Sequence, residues 1–219
     1  YFIMVTLAFA QMAYYVVPDT PLGGGTDGIY LAARPAAAIG ATVLLDLDDA
    51  TALYYFVLGT LVAVFAFLAL LLRSPFGRAL GGIRINEQRM RATGFSTYPY
   101  KLAAFVISGA VAGLGGFLFA VKDGYVNPEL LSWHLSGAVL VMIILGGIGH
   151  LRGAVIGAFA FALLQEFFKS EALFGDFSKH WLLGLGLTII VSVALLPRGL
   201  IGVGALLTRR LQRRVGGTL

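Results

Sequence analysis

The stretch Arg73-Ser-Pro-Phe-Gly-Arg78, followed by Gly82-Ile-Arg-Ile-Asn-Glu-Gln-Arg-Met-Arg-Ala-Thr-Gly94, lies between two long apolar runs that carry no charged residue. From Arg73 to Lys101 the chain holds six basic residues and one acid. Basic residues concentrated at the ends of apolar segments are typical of connections on the cytoplasmic side of a membrane. The stretch therefore predicts a membrane protein and also the direction in which its segments run.

Composition supports the same class of protein. Of the 219 residues, 58% are hydrophobic and 12% are charged, whereas a soluble domain averages about 25% charged residues. The net charge of +5 does not indicate a nucleic-acid partner, because the basic residues lie at the ends of apolar segments. The chain contains no cysteine, which excludes disulfides and thiolate chemistry.

Six apolar stretches are long enough, or nearly so, to cross a bilayer as helices. None of them contains an Asp, Glu, Lys or Arg. We predict an all-α integral membrane protein, a polytopic helical bundle with about six membrane segments in one domain over residues 1–219. The fourth and fifth stretches are short, and we expect a tight pair, tilted helices or a partly re-entrant pair. The stretches are about Tyr1–Val17, Ala52–Leu72, Leu102–Val121, Leu135–Gly149, Ala154–Gln165 and Trp181–Leu196.

The start of the chain and the charges of its connections give further expectations. The chain opens inside an apolar run with no Met and no basic region, so we expect an internal start preceded by further membrane segments and no signal peptide. Alternate connections hold twelve of the sixteen basic residues, and the other connections hold ten of the eleven acids. The positive-inside rule then places residues 73–101 and the basic tail 198–219 in the cytoplasm.

The basic connection, residues 73–101, contains the start and stop signals of a short helix. Asn86–Ala92 is expected to be helical and to end at Gly94, which would adopt the left-handed conformation. This helix would lie along the membrane surface and present Glu87, Arg89 and Arg91. Two interpretations stay open: a docking element for a cytoplasmic partner, or a connection that is only positively charged.

Two sets of glycines recur at helical spacing. Gly109, Gly113 and Gly116 fall on one side of the third segment, and Gly149, Gly153 and Gly157 recur every four residues. Small residues at this spacing allow helix backbones to approach closely. The glycines would either line a translocation path or serve ordinary helix packing. The break Leu145–Gly149, with Gly146 and Gly147, is the best candidate for lining the path, because adjacent glycines expose backbone carbonyls.

Other chemistries find little support in the sequence. Gly23–Gly28 lacks the Lys-Ser/Thr of a phosphate-binding loop, and we expect a folded-back turn there. His134, His150 and His180 lie at three membrane boundaries without the spacing of metal ligands, so no metal site is predicted. We expect Glu166 and Lys169 to form a capping and boundary pair at the end of the fifth segment. We predict no catalytic residue, no cofactor and no enzymatic activity for this chain.

Motifs along nearly the whole chain resemble the permeases of branched-chain amino acid ABC transporters, and the M-type permease matches better than its H-type partner. The motifs follow one another in the family's order. They are Val5-Thr-Leu-Ala-Phe, Gly24-Gly-Thr-Asp-Gly28, Ser74-Pro-Phe-Gly-Arg-Ala-Leu-Gly-Gly-Ile-Arg-Ile-Asn-Glu, Ala92-x-Gly94, Tyr100-Lys-Leu-Ala-Ala-Phe-Val-Ile-Ser, Ala112-Gly-Leu-Gly-Gly-Phe-Leu, Pro128-Glu129, Leu145-Gly-Gly-Ile-Gly149 with Gly153, and Leu196-Pro-Arg-Gly-Leu200. His150 and Arg152 are not typical of the pattern.

The resemblance implies a function and partners. Such permeases lie in the cell inner or plasma membrane of a prokaryote, pair with a second homologous permease subunit and dock on ATP-binding cassette subunits. An extracytoplasmic substrate-binding protein delivers the cargo. The family's coupling segment maps onto Arg84, Asn86, Glu87, Ala92 and Gly94, with Arg89 on the same helix. The resemblance also extends to urea and short-amide permeases.

The substrate and two other classes of membrane protein stay open at this point. Uncharged segments suit a small neutral zwitterion such as a branched-chain amino acid. They count against an ion-coupled secondary transporter, because proton relays use carboxylates inside the membrane. A structural membrane protein would not need the punctuated basic connection.

Overall fold

A computed structural model of the chain describes residues 2–20, 24–31, 36–39, 42–170, 181–195 and 199–202. The expectations for Tyr1, Gly23, His180 and most of the tail 198–219 fall outside these residues. The described helices are α1 Phe2–Asp19, α2 Ala50–Arg73, α3 Pro75–Ile85, α4 Glu87–Ala92, α5 Thr97–Asp123, α6 Trp133–Gly146, α7 Leu151–Lys169 and α8 Trp181–Leu195.

Three of these helices, α2, α5 and α7, are long and apolar enough to cross a membrane. They contain 24, 27 and 19 residues, or about 36, 40 and 28 Å at 1.5 Å per residue, against a hydrocarbon core of about 30 Å. Helices α6 and α8 are apolar but shorter, and α1 has 18 residues. The all-α membrane fold is therefore confirmed, while the count of six spanning segments is supported only in part.

Residues 12–130 form one compact unit. In it, α2 begins after Asp49, whose side chain accepts a hydrogen bond from the Thr51 N–H at 3.0 Å and so caps the helix. At the other end of α2, Ser74 caps two helices: it ends α2 and begins α3, with Pro75 at the first helical position. The described part of the basic connection is thus largely helical, and α3 was not predicted from the sequence.

Two short antiparallel ribbons lie in this unit. Strand β1 Ile29–Tyr30 pairs with β4 Tyr125–Val126, and β2 Ala36–Ile39 pairs with β3 Thr42–Asp46. The Tyr30 and Tyr125 rings lie 4.5 Å apart, and the Tyr125 hydroxyl donates to the Asp27 carbonyl at 2.9 Å. The glycine-rich stretch before β1 turns back on itself, with Gly24, Gly25 and Gly28 at positive φ. The predicted turn is therefore present in its described part.

Residues 1–11 and 131–219 form the second compact unit. Its α6 and α7 pack as an antiparallel hairpin, which agrees with the tight pair among the three arrangements left open by the sequence. Helix α7 is longer than the predicted fifth segment because Leu151–Gly153 and Glu166–Lys169 extend it at both ends. Helix α8 packs on α7 where Gly184 faces the Phe168 ring.

Candidate functional site

The candidate docking segment comprises α3, α4 and the first turns of α5, all within residues 75–101. Helices α3 and α4 meet directly at Asn86. The Asn86 N–H donates to the Gly82 carbonyl at 3.0 Å, which ends α3. Its side-chain oxygen accepts from the Arg89 N–H at 3.0 Å, which begins α4. One residue therefore terminates one helix and starts the next.

Helix α4 ends as the sequence predicts. Gly94 has φ +86°, and the Phe95 N–H donates to the Met90 carbonyl at 3.1 Å while the Gly94 N–H donates to Arg91 at 3.0 Å. These two bonds form the Schellman arrangement, which satisfies the last carbonyls of a helix. The expected short helix and its left-handed glycine are thus confirmed, with α4 spanning Glu87–Ala92.

The carboxylate of Glu87 gathers three donors on one oxygen. Its Oε1 accepts from Arg91 Nη2 at 2.6 Å, from Lys101 Nζ at 2.7 Å and from Thr97 Oγ1 at 2.9 Å. The Arg91 Nε also donates to Thr97 Oγ1 at 3.1 Å. We call Glu87, Arg91, Thr97 and Lys101 the α4–α5 latch, because two residues come from each helix.

The latch is built from two matched helical pairs. Glu87 and Arg91 are one turn apart on α4, while Thr97 and Lys101 are one turn apart on α5. Thr97 is buried, with 3% of its surface exposed, whereas the Arg91 and Lys101 side chains are 63% and 47% exposed. Because the ion pairs face solvent, each contributes little alone, and the buried hydroxyl fixes their geometry.

The hydrogen bonds hold the Glu87 carboxylate ionised. Donation from Lys101, then from Thr97 and from Arg91, lowers the pKa of Glu87 from its ordinary value of 4.5 to about 2. Hydrogen bonds to the charged form of a carboxyl favour that form. Glu87 therefore carries its negative charge throughout the range of cellular pH.

Met90 packs α4 on α3 through apolar atoms. The Met90 Sδ lies 2.8 Å from where a Cβ on Gly82 would stand, so a larger residue at Gly82 would displace the thioether. Phe76 on α3 stacks on Tyr100 of α5 with ring centroids 5.7 Å apart, and Phe95 lies 6.0 Å from the same ring. Helix α4 is therefore held both by the Met90 contact with α3 and by the latch to α5.

The residues assigned to coupling all lie on α4 or next to its ends. Asn86 and Glu87 hold the start of α4, while Arg84, Arg89, Ala92 and Gly94 are exposed around it. Sequence reasoning missed Thr97 and Lys101, because the third apolar stretch was taken to begin at Leu102 and α5 begins at Thr97. The sequence signal that could have indicated Lys101 was Glu87, the one acid among six basic residues, because its carboxylate is expected to pair with a basic side chain nearby.

The three α5 glycines lie on an open face. A Cβ built on Gly109, Gly113 or Gly116 meets no heavy atom of the described chain within 4 Å. These glycines therefore do not pack against another described helix of this chain. On a different side of α5, an apolar groove of about 730 Å³ runs between α2 and α5, lined by Tyr55, Gly59, Phe67, Ile107 and Leu114 among others.

The glycines of the α6–α7 hairpin show the opposite environment. A Cβ on Gly146 would overlap the Gly153 carbonyl, and one on Gly157 would overlap the Met142 carbonyl. Gly147 and Gly149 between the helices have φ +115° and +93°, conformations that other residues rarely adopt. Glycine at Gly146, Gly153 and Gly157 therefore lets the backbones of α6 and α7 approach closely.

A helical turn at 199–202 closes over the tip of this hairpin. A Cβ on Gly199 would overlap Gly147, and the Ile201 side chain lies 3.2 Å from where a Cβ on Gly153 would stand. Gly199 is buried and has φ +66°. The glycine of the Leu196–Leu200 motif thus serves a backbone contact. Among the described residues no three His, Asp or Glu side chains gather as a metal site would require.

Comparison with known proteins agrees with this architecture. A family model described as branched-chain amino acid transport system / permease component matches residues 1–196. The chain is 30% identical over 220 residues to the high-affinity branched-chain amino acid transport system permease protein LivM of Escherichia coli, covering 92% of this chain and 50% of that protein. It therefore spans about half the length of the curated relatives it matches.

Two further relatives cover less of the chain. A probable branched-chain amino acid transport permease protein LivM of Methanocaldococcus jannaschii is 23% identical over 163 residues, covering 69% of this chain and 47% of that protein. An autoinducer 2 import system permease protein LsrC of Photorhabdus laumondii is 28% identical over 131 residues, covering 56% of this chain and 39% of that protein. No solved structure gives a significant match.

Proposed function

Because the chain belongs to the family of branched-chain amino acid transport-system permease components, we propose that it is a transmembrane permease subunit of an ABC importer. Its cargo is a branched-chain or similar small neutral amino acid, which crosses the cytoplasmic membrane while separate ATP-binding subunits hydrolyse ATP. The observation that carries this proposal is the docking segment: α4 is an exposed, doubly capped helix between two long apolar helices.

The choice of cargo rests on the charges of the helices and on the relatives. The apolar parts of α2 and α5 offer no countercharge to a charged substrate, and a zwitterion with an aliphatic side chain needs none. The LivM similarity covers 92% of the chain, against 56% for the autoinducer 2 permease. This difference in coverage favours an amino acid as cargo.

The proposal includes an assembly and a direction. A second homologous permease subunit completes the path, cassette subunits grip α4 through Arg84, Asn86, Glu87, Arg89, Ala92 and Gly94, and an extracytoplasmic binding protein supplies the cargo. Residues 73–101 and the tail 198–219 face the cytoplasm. The hairpin break at Gly146, Gly147, Gly149 and Gly153 borders the path, and the open face of Gly109, Gly113 and Gly116 receives a neighbouring helix.

The test is site-specific crosslinking, which is simple because the chain has no cysteine of its own. Arg89→Cys places a thiol on the exposed side of α4, and Glu129→Cys is a matched control in the connection after α5. In membranes that contain the native partners, we expect Arg89→Cys to crosslink to an ATP-binding subunit, with a yield that changes when ATP is trapped. Glu129→Cys should give no such product. Crosslinking of neither variant, with α4 accessible from the cytoplasm, would contradict an ABC permease.

A further inference from the structure

Helix α4 depends on its neighbours for its position. It has six residues, and isolated helices shorter than about 12 residues are marginal in water. The caps at Asn86 and Gly94 fix its ends, but neither connects α4 to a spanning helix laterally. The contacts of α4 with α3 and α5 therefore determine which helices move with α4 when it is displaced.

The two sides of α4 are connected to the spanning helices in different ways. Towards α2 the chain has no spacer, because Ser74 caps both α2 and α3 and Asn86 caps both α3 and α4. Towards α5 the four residues Thr93–Ser96 intervene. When α4 is displaced, α3 and α2 must move with it. The four residues before α5 can instead change conformation and leave α5 in place.

The latch joins α4 to α5 directly, across the four residues that separate them in the sequence. Its Glu87 oxygen binds Thr97 at 2.9 Å and Lys101 at 2.7 Å, in the first two turns of α5. Arg91 approaches the same Thr97 hydroxyl from α4 at 3.1 Å. These bonds bridge the four residues and join α4 to α5 side by side.

Resting on the function proposed above, we infer that Thr97 and Lys101 are positioning residues that make α4 and α5 move as one body. With the latch closed, a push on α4 is delivered to both spanning helices that flank the docking segment. With the latch open, α4 moves with α3 alone. The segment assigned to coupling therefore extends beyond Gly94 into the first two turns of α5.

Conservative pairs of variants separate the latch from mere folding. Thr97→Val removes the hydroxyl and keeps the branched shape, whereas Thr97→Ser keeps the hydroxyl. Lys101→Met removes the cation, whereas Lys101→Arg keeps it. Arg78→Gln removes an exposed cation of α3 outside the latch and serves as the control. All five are made in the full chain, assembled with its native partners in lipid.

Two measurements are made on each variant. The first is amide hydrogen exchange of Glu87–Ala92, which should be about threefold faster in Thr97→Val and Lys101→Met, because a solvent-exposed pair stabilises the helix only modestly. The second is the number of amino acid molecules taken up per ATP hydrolysed, which should fall by a similar factor in the same two variants. Thr97→Ser, Lys101→Arg and Arg78→Gln should match the wild type in both.

The outcomes distinguish this inference from the proposed function. Unchanged exchange in Thr97→Val and Lys101→Met would overturn the latch. Faster exchange with an unchanged ratio of uptake to hydrolysis would overturn its role in transmission. If Thr97→Ser, which keeps the hydroxyl, lost ATP hydrolysis and uptake to the same extent as Thr97→Val, Thr97 would not be a positioning residue. If the wild-type assembly transports no amino acid, the proposed function fails, while the exchange measurement still decides whether the latch exists.

Discussion

At the scale of single residues, the contacts at a few positions allow only one type of side chain. The Glu87 carboxylate is one case, since three donors converge on its Oε1. Gly146 is another, since any Cβ there would meet the backbone of α7. The sequence indicated both residues, Glu87 as the lone acid of the basic connection and Gly146 within the glycine break. It did not indicate Thr97 and Lys101 as partners of Glu87, or the α7 backbone as the partner of Gly146, because these contacts join different helices.

The lowered pKa of Glu87 predicts a pH dependence. A carboxyl whose pKa is lower in the folded protein stabilises it above the unfolded pKa and loses that contribution as the pH falls through the folded pKa. With values of 4.5 and about 2, the contribution is complete above pH 4.5 and disappears between 4.5 and 2. Thermal unfolding in detergent should therefore show a difference between wild type and Glu87→Gln at pH 7 that vanishes near pH 2. A difference that is constant over this range would contradict the assignment.

The α6–α7 contact predicts a large loss of stability from one methyl group. Gly146→Ala places a Cβ against the Gly153 carbonyl, and overpacking of this kind costs about 1–3 kcal/mol or more. Gly137→Ala lies on the same helix with no described heavy atom within 4 Å of the added Cβ, so it should be neutral or slightly stabilising. Thermal unfolding of the two variants in detergent measures the difference. Equal stabilities would show that α6 and α7 do not approach as described.

At the scale of elements, caps explain what the sequence predicted and what it did not. Asn86 and Gly94 are recognisable punctuation, so α4 was predicted within a residue. Helix α3 was not predicted, because its apolar residues Ala79 and Ile83 are buried by tertiary packing rather than by lipid. The start of α5 was placed five residues late, since Thr97–Lys101 are too polar and aromatic to resemble a membrane segment, yet they are helical.

The left-handed cap of α4 predicts a defect in coupling. Gly94→Ala forces a Cβ into φ +86°, which costs about 1–2 kcal/mol and loosens the end of α4. We expect ATP hydrolysis to continue while amino acid uptake per ATP decreases. Gly81→Ala on α3 is the control, because an added Cβ there meets open space at ordinary φ. The measurement is uptake and hydrolysis in proteoliposomes. Identical ratios in both variants would argue that the Gly94 conformation is unimportant for coupling.

At the scale of the whole molecule, much apolar surface is left for lipid or for partners. Within the described chain α2 buries none of its residues, and α5 buries only Thr97 and Val121. Hydrophobic runs and charge asymmetry were sufficient to predict an all-α membrane protein, because bilayer thickness and backbone hydrogen bonding restrict the alternatives. They were not sufficient to say which faces meet another protein, since lipid and a neighbouring helix demand similar residues.

The open glycine face of α5 predicts a defect in assembly without a defect in folding. Gly113→Leu adds bulk beside Gly109 and Gly116, where the described chain places no atom within 4 Å of a Cβ. We expect its thermal unfolding to match the wild type and its co-purification with the second permease subunit to fall. Gly115→Leu, which lies outside that face of the same helix and is equally open, is the control. Full co-purification of Gly113→Leu would remove this face from the proposed interface.

The shared caps at Ser74 and Asn86 have a consequence for how this protein can vary. Because α2, α3 and α4 abut without spacers, one inserted residue would turn everything downstream by about 100° and advance it by about 1.5 Å. Exposed side chains between Arg73 and Glu87, such as Arg78, can be exchanged, but residues cannot be added or removed without turning α4 away from α5. Natural variation in this stretch should therefore consist of substitutions and not of insertions or deletions.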